Sequence, residues 1–410
     1  MRIEIITVGD EVLRAETRKD NARLLSGILT GIGMEPSRIT VIPDDLEIIS
    51  MEMDAALARS EVAIVTGGLG PTVDDKTRQA AILALGGEVE RREDLVEGIE
   101  ARFCKFGREM PEGYRDLANI PLGAEIFPNR IGAAYGLVVK KDGSSLFLLP
   151  GVPAEMEAIF RESILPRLEI AGVRGRETLR IYGMMETGAE EILRGVLDAD
   201  RMDDVSIIAG PAGIAVHIWK DLVSEDEMNR LRGLFGSYIY TADDLSMEQV
   251  VVDRLLSMER SIATAESLTG GLLASAIVSV PGASESFMEG FITYSNEAKA
   301  ERLGVDMGLI RSVGAVSMEV CVAMADGARQ RTGVDLALST TGIAGPGGGS
   351  VEKPVGLVYT GLSTPEGTFC RKMHLPGERQ QVRLRTVYQA LDLLRLFLVK
   401  EYERLGPLKV

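Results

Sequence analysis

Histidine is nearly missing from this chain. His217 and His374 are the only two in 410 residues, so a Ser-His-Asp triad or a His-rich zinc site has almost no raw material. Any hydrolytic chemistry must use another base. Cysteine is as scarce: Cys104, Cys321 and Cys370 stand far apart in the sequence and form no CxxC pair or disulfide framework. No apolar run approaches the roughly 20 residues of a membrane-spanning helix. The N-terminus enters a strand pattern with early acids and has no signal-peptide core. A cytoplasmic protein with no membrane partner is therefore expected. Positive charge is outnumbered, 45 Lys and Arg against 61 Asp and Glu, for a net −16. Such a field repels phosphate backbones, so nucleic acid is not an expected partner. A phosphorylated small molecule remains compatible, because backbone N–H groups and one or two local cations can bind it.

The composition is that of a globular protein, and the length suggests two or three domains. Strand and helix patterns alternate over the first 85 residues: strands at 2–8, 38–42 and 61–66, helices at 21–32, 46–59 and 74–85. This predicts a parallel sheet covered on both faces. Segments 136–140 and 145–149 read as a hairpin around Lys141-Asp142-Gly143. A linker is expected at 172–175. A compact α+β pattern follows over 177–241, and a third unit spans 246–400. The expected domains are thus 1–171, 177–241 and 246–400, all within an α/β multidomain fold.

Three motifs in the third unit carry chemistry. In Thr264-Ala-Glu-Ser-Leu-Thr-Gly-Gly271, a strand turns sharply into a helix at Ser267. A serine there is either a nucleophile beside helix N–H donors or only the helix cap. In Tyr294-Ser-Asn-Glu-Ala-Lys299, Lys299 or Tyr294 could act as base if burial lowers its pKa; otherwise Lys299 is a solvated surface lysine. Ser339-Thr-Thr-Gly-Ile-Ala-Gly-Pro-Gly-Gly-Gly-Ser350 runs from a strand into a glycine loop, which reads either as an anion cradle or as a surface connection. It lacks the P-loop spacing.

With Gly314-Ala-Val-Ser317 and Glu352-Lys-Pro-Val-Gly356, these motifs occur in the order of the CinA C-terminal domain. The third unit resembles that nicotinamide mononucleotide deamidase family. The resemblance implies that Ser267 attacks the carboxamide of nicotinamide mononucleotide, with Tyr294 and Lys299 assisting proton transfer and no metal or other cofactor. It further implies substrate binding by Thr269, Gly270, Gly271, Asn296, Thr341, Gly342, Ala344, Gly345, Gly347 and Arg379 or Arg383.

In the first unit, Val8-Gly-Asp-Glu-Val-Leu13 and Thr66-Gly-Gly-Leu-Gly-Pro-Thr-Val-Asp-Asp-Lys-Thr77 are glycine turns after strands, where α/β sheets bind ligands. Asp74 and Asp75 read as helix caps or as ligands of a divalent cation. Together with Leu149-Pro-Gly-Val-Pro-Ala-Glu-Met156, the pattern resembles the doubly wound, MoaB/MoeA-like molybdopterin-binding domain of full-length CinA proteins. That implies an ADP-ribose pyrophosphatase using Mg2+ or a similar ion, with Glu11, Asn21, Gly68, Gly70, Thr72, Asp74 and Asp75 at the site. Residues 14–20 and Gly132-Ala-Ala-Tyr-Gly136 depart from the family pattern in loops expected to border the ligand. The middle unit falls where the family has a KH-like domain. It lacks a GxxG loop and a basic cluster, so it is read as a spacer and dimer element, not an RNA reader. A homodimer is the expected assembly. The alternative to both activities is a non-enzymatic pterin- or nucleotide-binding module serving a partner.

Overall fold

A computed structural model describes every residue except 17–19, 170–174, 244, 406, 407 and 410; of 169, 408 and 409 it describes the backbone. The expected linker, apart from Gly175, and the boundary at Ala171 lie outside the described residues. The chain divides into two compact units, Met1–Arg176 and Glu177–Val410.

The first unit is built on a six-stranded sheet, in the order β2 (Pro36–Ile42), β1 (Ile3–Val8), β3 (Val62–Thr66), β8 (Ser144–Leu149), β7 (Gly136–Lys141), β6 (Glu125–Phe127). Strands β1, β2, β3 and β8 run parallel. Strand β7 forms the expected hairpin with β8, and β6 adds antiparallel to it. The sheet is therefore mixed, not purely parallel. Every residue of β1 and β3 is buried, as expected for central strands covered on both faces. Their alternation separates two cores. Ile3, Ile5, Val62 and Ile64 pack with Leu25 and Leu29, while Ile6, Val8, Ala63 and Val65 pack with Ile49 and Met53.

Two features of this unit differ from the sequence expectation. The helix placed at 74–85 spans only Thr77–Ala84; its N-cap is Lys76, with no side-chain cap. Neither Asp74 nor Asp75 caps it. Between 86 and 135, which the sequence pattern leaves unassigned, lie helix Glu93–Lys105 and a ribbon of β4 (Val89–Arg91) with β5 (Asn119–Pro121). Only Leu95, Val96 and Ile99 of that helix are buried.

The second unit contains two sheets. Strands β9 (Arg176–Ile181), β10 (Ser206–Gly210), β11 (Gly213–Trp219) and β12 (Ile239–Thr241) are ordered β10-β11-β9-β12. Helices Glu186–Arg194 and Glu225–Phe235 supply their core partners, such as Leu193, Leu231 and Phe235.

The larger sheet contains β13 (Ile262–Glu266), β14 (Phe287–Ile292), β15 (Leu336–Gly342), β16 (Leu357–Thr364), β17 (Gly367–His374) and β18 (Leu408–Lys409). Its order is β14-β13-β15-β16-β17-β18, with the first three parallel and the rest antiparallel. Ile262, Leu336 and Leu338 face helices Met247–Ser257, Leu272–Val278 and Arg379–Leu398. Ala265 and Ala337 face the opposite layer, with Leu303, Ile310, Val320 and Met324. The fold also changes one reading of the cysteines. Cys321 and Cys370, far apart in sequence, share one buried cluster with Leu357 and Tyr359. Burial and the adjoining Cys370 push the Cys321 thiol well above its usual range. Both are free thiols.

Candidate active site

The carboxyl ends of β13, β14 and β15 come together, and the three C-terminal motifs follow those ends. Period-two alternation along β13 decides which side chain goes where. Glu266 takes the face of helix Leu272–Val278. Its buried carboxylate accepts from the N–H groups of Gly271 (2.9 Å), Leu273 (3.1 Å) and Ala274 (2.8 Å). Glu266, which the sequence reading passed over, therefore caps this helix. Ser267 does not: the helix N-cap residue is Gly271, without a side-chain cap. The only signal available was an acid just before a glycine turn into a helix. Gly270 and Gly271 sit at φ of 58° and 94°, a region glycine enters without strain. Glu266→Gln should lower stability by about 2–3 kcal/mol, because three buried or part-buried N–H groups lose their charged acceptor. A urea unfolding midpoint equal to wild type would refute that assignment.

Ser267 is nearly buried, and its N–H donates to Thr340 O at 2.9 Å. Its Oγ lies 3.1 Å from Lys299 Nζ. Lys299, in helix Asn296–Leu303, is only 1% exposed, so it is not a solvated surface lysine. The same Nζ donates to the carbonyls of Thr293 (2.8 Å) and Tyr294 (3.3 Å). Desolvation lowers its pKa to about 8, with Glu297 opposing the shift. No hydrogen bond engages the backbone N–H of Leu268, Thr269 or Gly270 among the described residues.

The remaining candidates sort by partner. The Tyr294 ring is 64% exposed, and its hydroxyl accepts from Arg379 Nη2 at 3.3 Å. Tyr294 thus reaches Lys299 through its carbonyl, while its hydroxyl has no hydrogen bond to Ser267. Arg379 also donates to Gly345 O at 2.8 Å, tying the glycine loop to the site. Arg383 is committed to the serine turn, donating to Leu268 O (3.0 Å) and Thr269 O (2.7 Å). Thr269 and Thr340 pair through their buried hydroxyls at 2.7 Å, and Thr341 Oγ1 donates to Ala315 O. Ala344 and Gly345 are buried, whereas Gly347 and Asn296 are exposed.

The first unit has a cleft of about 620 Å3. Glu11, Asn21, Gly68, Gly70, Asp74 and Asp75 all line it; Thr72 does not. Thr7, Asp44, Tyr114 and Glu155 line it as well and were not foreseen. Gly67 has no alternative, because a Cβ there would lie 2.1 Å from Val8 O. Asn21 Nδ2 donates to Thr66 Oγ1 and Gly151 O, both at 2.9 Å. Its Oδ1 and the Thr7 hydroxyl are buried without partners. Of the divergent loops, Ala133 and Ala134 border the cleft, while 17–19 lie outside the described residues. Two carboxylates at the cleft are held by backbone N–H groups. Asp75 Oδ2 accepts from Thr72 N at 2.8 Å and Asp44 Oδ2 from Asp10 N at 2.9 Å. Among the described residues, no three His, Cys, Asp or Glu side chains cluster as metal ligands.

Residues 244–398 match the CinA C-terminal domain, and residues 4–170 match the "Probable molybdopterin binding domain". A protein of Caldanaerobacter subterraneus named "Putative competence-damage inducible protein" is 39% identical over 97% of this chain and 98% of its own length. One from Clostridium novyi is 38% identical over 98% and 99%. The chain belongs to the CinA family. Among solved structures, the competence/damage inducible protein CihA from Agrobacterium tumefaciens is 38% identical, over 38% of this chain and 97% of that one, with a TM-score of 0.36. In this CinA-family chain, Ser267, Lys299, the glycine loop and Arg379 all fall within the CinA C-terminal domain match, and the large cleft falls within the other. No helix among the described residues is long and apolar enough to cross a membrane.

Proposed function

We propose that the second unit hydrolyses the carboxamide of nicotinamide mononucleotide to nicotinic acid mononucleotide and ammonia. The observation that carries this reading is the buried Ser267–Lys299 pair at 3.1 Å. A neutral amine has two N–H groups and one lone pair. The carbonyls of Thr293 and Tyr294 take both N–H groups, which leaves the lone pair for the Ser267 hydroxyl. Lys299 accepts that proton as Oγ bonds to the carboxamide carbon. It returns the proton to the departing nitrogen as the C–N bond breaks, releasing ammonia and leaving an ester on Ser267. Water, deprotonated by the same amine, then attacks the ester carbon, and the amine returns the proton to Ser267 Oγ as that C–O bond breaks. The free N–H groups of Leu268–Gly270 are the donors available to the developing oxyanion. In this reading Arg379 and the Gly345–Gly349 loop bind the phosphate, and Arg383 holds the turn. The test is ammonia release from nicotinamide mononucleotide by wild type and active-site variants.

For the first unit we propose binding and cleavage of a nucleotide pyrophosphate such as ADP-ribose. The unpartnered oxygens of Thr7 and Asn21 at the cleft favour a ligand there. Purified protein should release AMP from ADP-ribose with Mg2+ and stop when chelator is added. No turnover with any divalent ion would exclude the activity.

A further inference from the structure

Three guanidinium groups gather around one carboxylate in the second unit. Asp392 accepts from Arg371 Nη1 (3.0 Å) and from Arg395 Nε (3.1 Å) and Nη2 (2.6 Å). The Asp392 and Arg395 side chains are each 3% exposed. Arg404 adds a third cation. It donates to Ser237 Oγ at 3.0 Å and lies 3.9 Å over the Tyr238 ring. Burial, reinforced by Arg395 and opposed by Asp392, holds Arg404 below the usual arginine range. The cluster has two positive charges more than negative, inside a protein whose net charge is −16. The buried Asp392–Arg395 pair is neutral, so the excess positive charge sits on the partly exposed Arg371 and Arg404, where an anion can reach its field.

A cleft of about 360 Å3 opens beside this cluster, lined by Ser237, Ile239, Arg254, Arg395, Val399 and Glu401 among others. Arg395 spends Nε and Nη2 on Asp392 and Ser237 O, whereas its Nη1 has no hydrogen-bond partner among the described residues. Arg254, exposed on helix Met247–Ser257, makes no ion pair among the described residues, and neither does rim residue Glu401. We propose that this cleft binds the phosphate group of a small phosphorylated molecule, between Arg254 and the free edge of Arg395. The site is separate from the Ser267 centre and does not depend on its assignment. Its volume falls in the range of small-ligand pockets, and the missing negative charge is what such a ligand brings.

Calorimetric titration of inorganic phosphate into the full chain tests this. Arg254→Gln and Glu401→Gln change exposed side chains, so folding should be retained. Wild type should show a phosphate-binding component that weakens about tenfold in Arg254→Gln and tightens a few-fold in Glu401→Gln, with both shifts shrinking in high salt. Identical isotherms for the three proteins would overturn the proposal.

Discussion

Ser267→Ala is expected to abolish ammonia release from nicotinamide mononucleotide, with a loss of at least about 10^3-fold in kcat. The size follows from the geometry. Among the described residues, Ser267 Oγ is the only hydroxyl hydrogen-bonded to Lys299 Nζ, so an alanine leaves the amine with no alcohol to activate. The variant should fold, because Glu266 and not Ser267 caps the helix that follows. It should also still bind the nucleotide, since Arg379 and the glycine loop are untouched. Binding without turnover is the expected pair of results. Full rate in Ser267→Ala would mean that another group attacks the amide.

Lys299→Arg should be as inactive as a deletion of the base, with a loss of about 10^2 to 10^4-fold, although charge and donors are kept. Arginine cannot release its proton in this range, whereas Lys299 titrates near 8. At pH 7 roughly a tenth of the wild-type lysine is neutral, so kcat/KM should rise with pH and level off above about 8. A profile flat between pH 6 and 9 would remove Lys299 as the base. Stability supplies a second readout. The folded-state pKa is depressed from 10.5 to about 8, so between those values the unfolded chain holds a proton that the folded chain has lost. Stability therefore rises with pH across that window. The wild type should gain on the order of 2 kcal/mol, relative to Lys299→Met, between pH 7 and 10. Parallel stability–pH curves for the two proteins would contradict the burial of a titrating amine.

Much of the site was readable because it is local. The strand-to-helix turn at Ser267, the glycine run after Thr341 and the hairpin at 136–149 are short stretches whose residue types specify backbone geometry. The helix start at 74 was misplaced because Asp74 and Asp75 resemble first-turn acids, whereas Asp75 folds back on Thr72 instead. Tyr294 and Lys299 could not be ranked from spacing. Both lie in one motif, and only burial separates an amine held in the core from a ring in solvent.

By itself, the sequence determined that any hydrolytic chemistry must do without a histidine triad, that sheets covered by helices would form the scaffold, and that strand ends would present serine and glycine turns. These follow from composition and from periods of two and 3.6 residues, which are local properties. The tertiary structure alone decided that Glu266 caps while Ser267 stays available, that Lys299 is desolvated, that Arg383 braces the turn while Arg379 bridges the loop, and that Cys321 meets Cys370. Each depends on strand order, with β13 between β14 and β15 and β17 beyond β16. Which distant side chains share a dielectric environment is set by packing between segments far apart in the chain, and no local pattern encodes it.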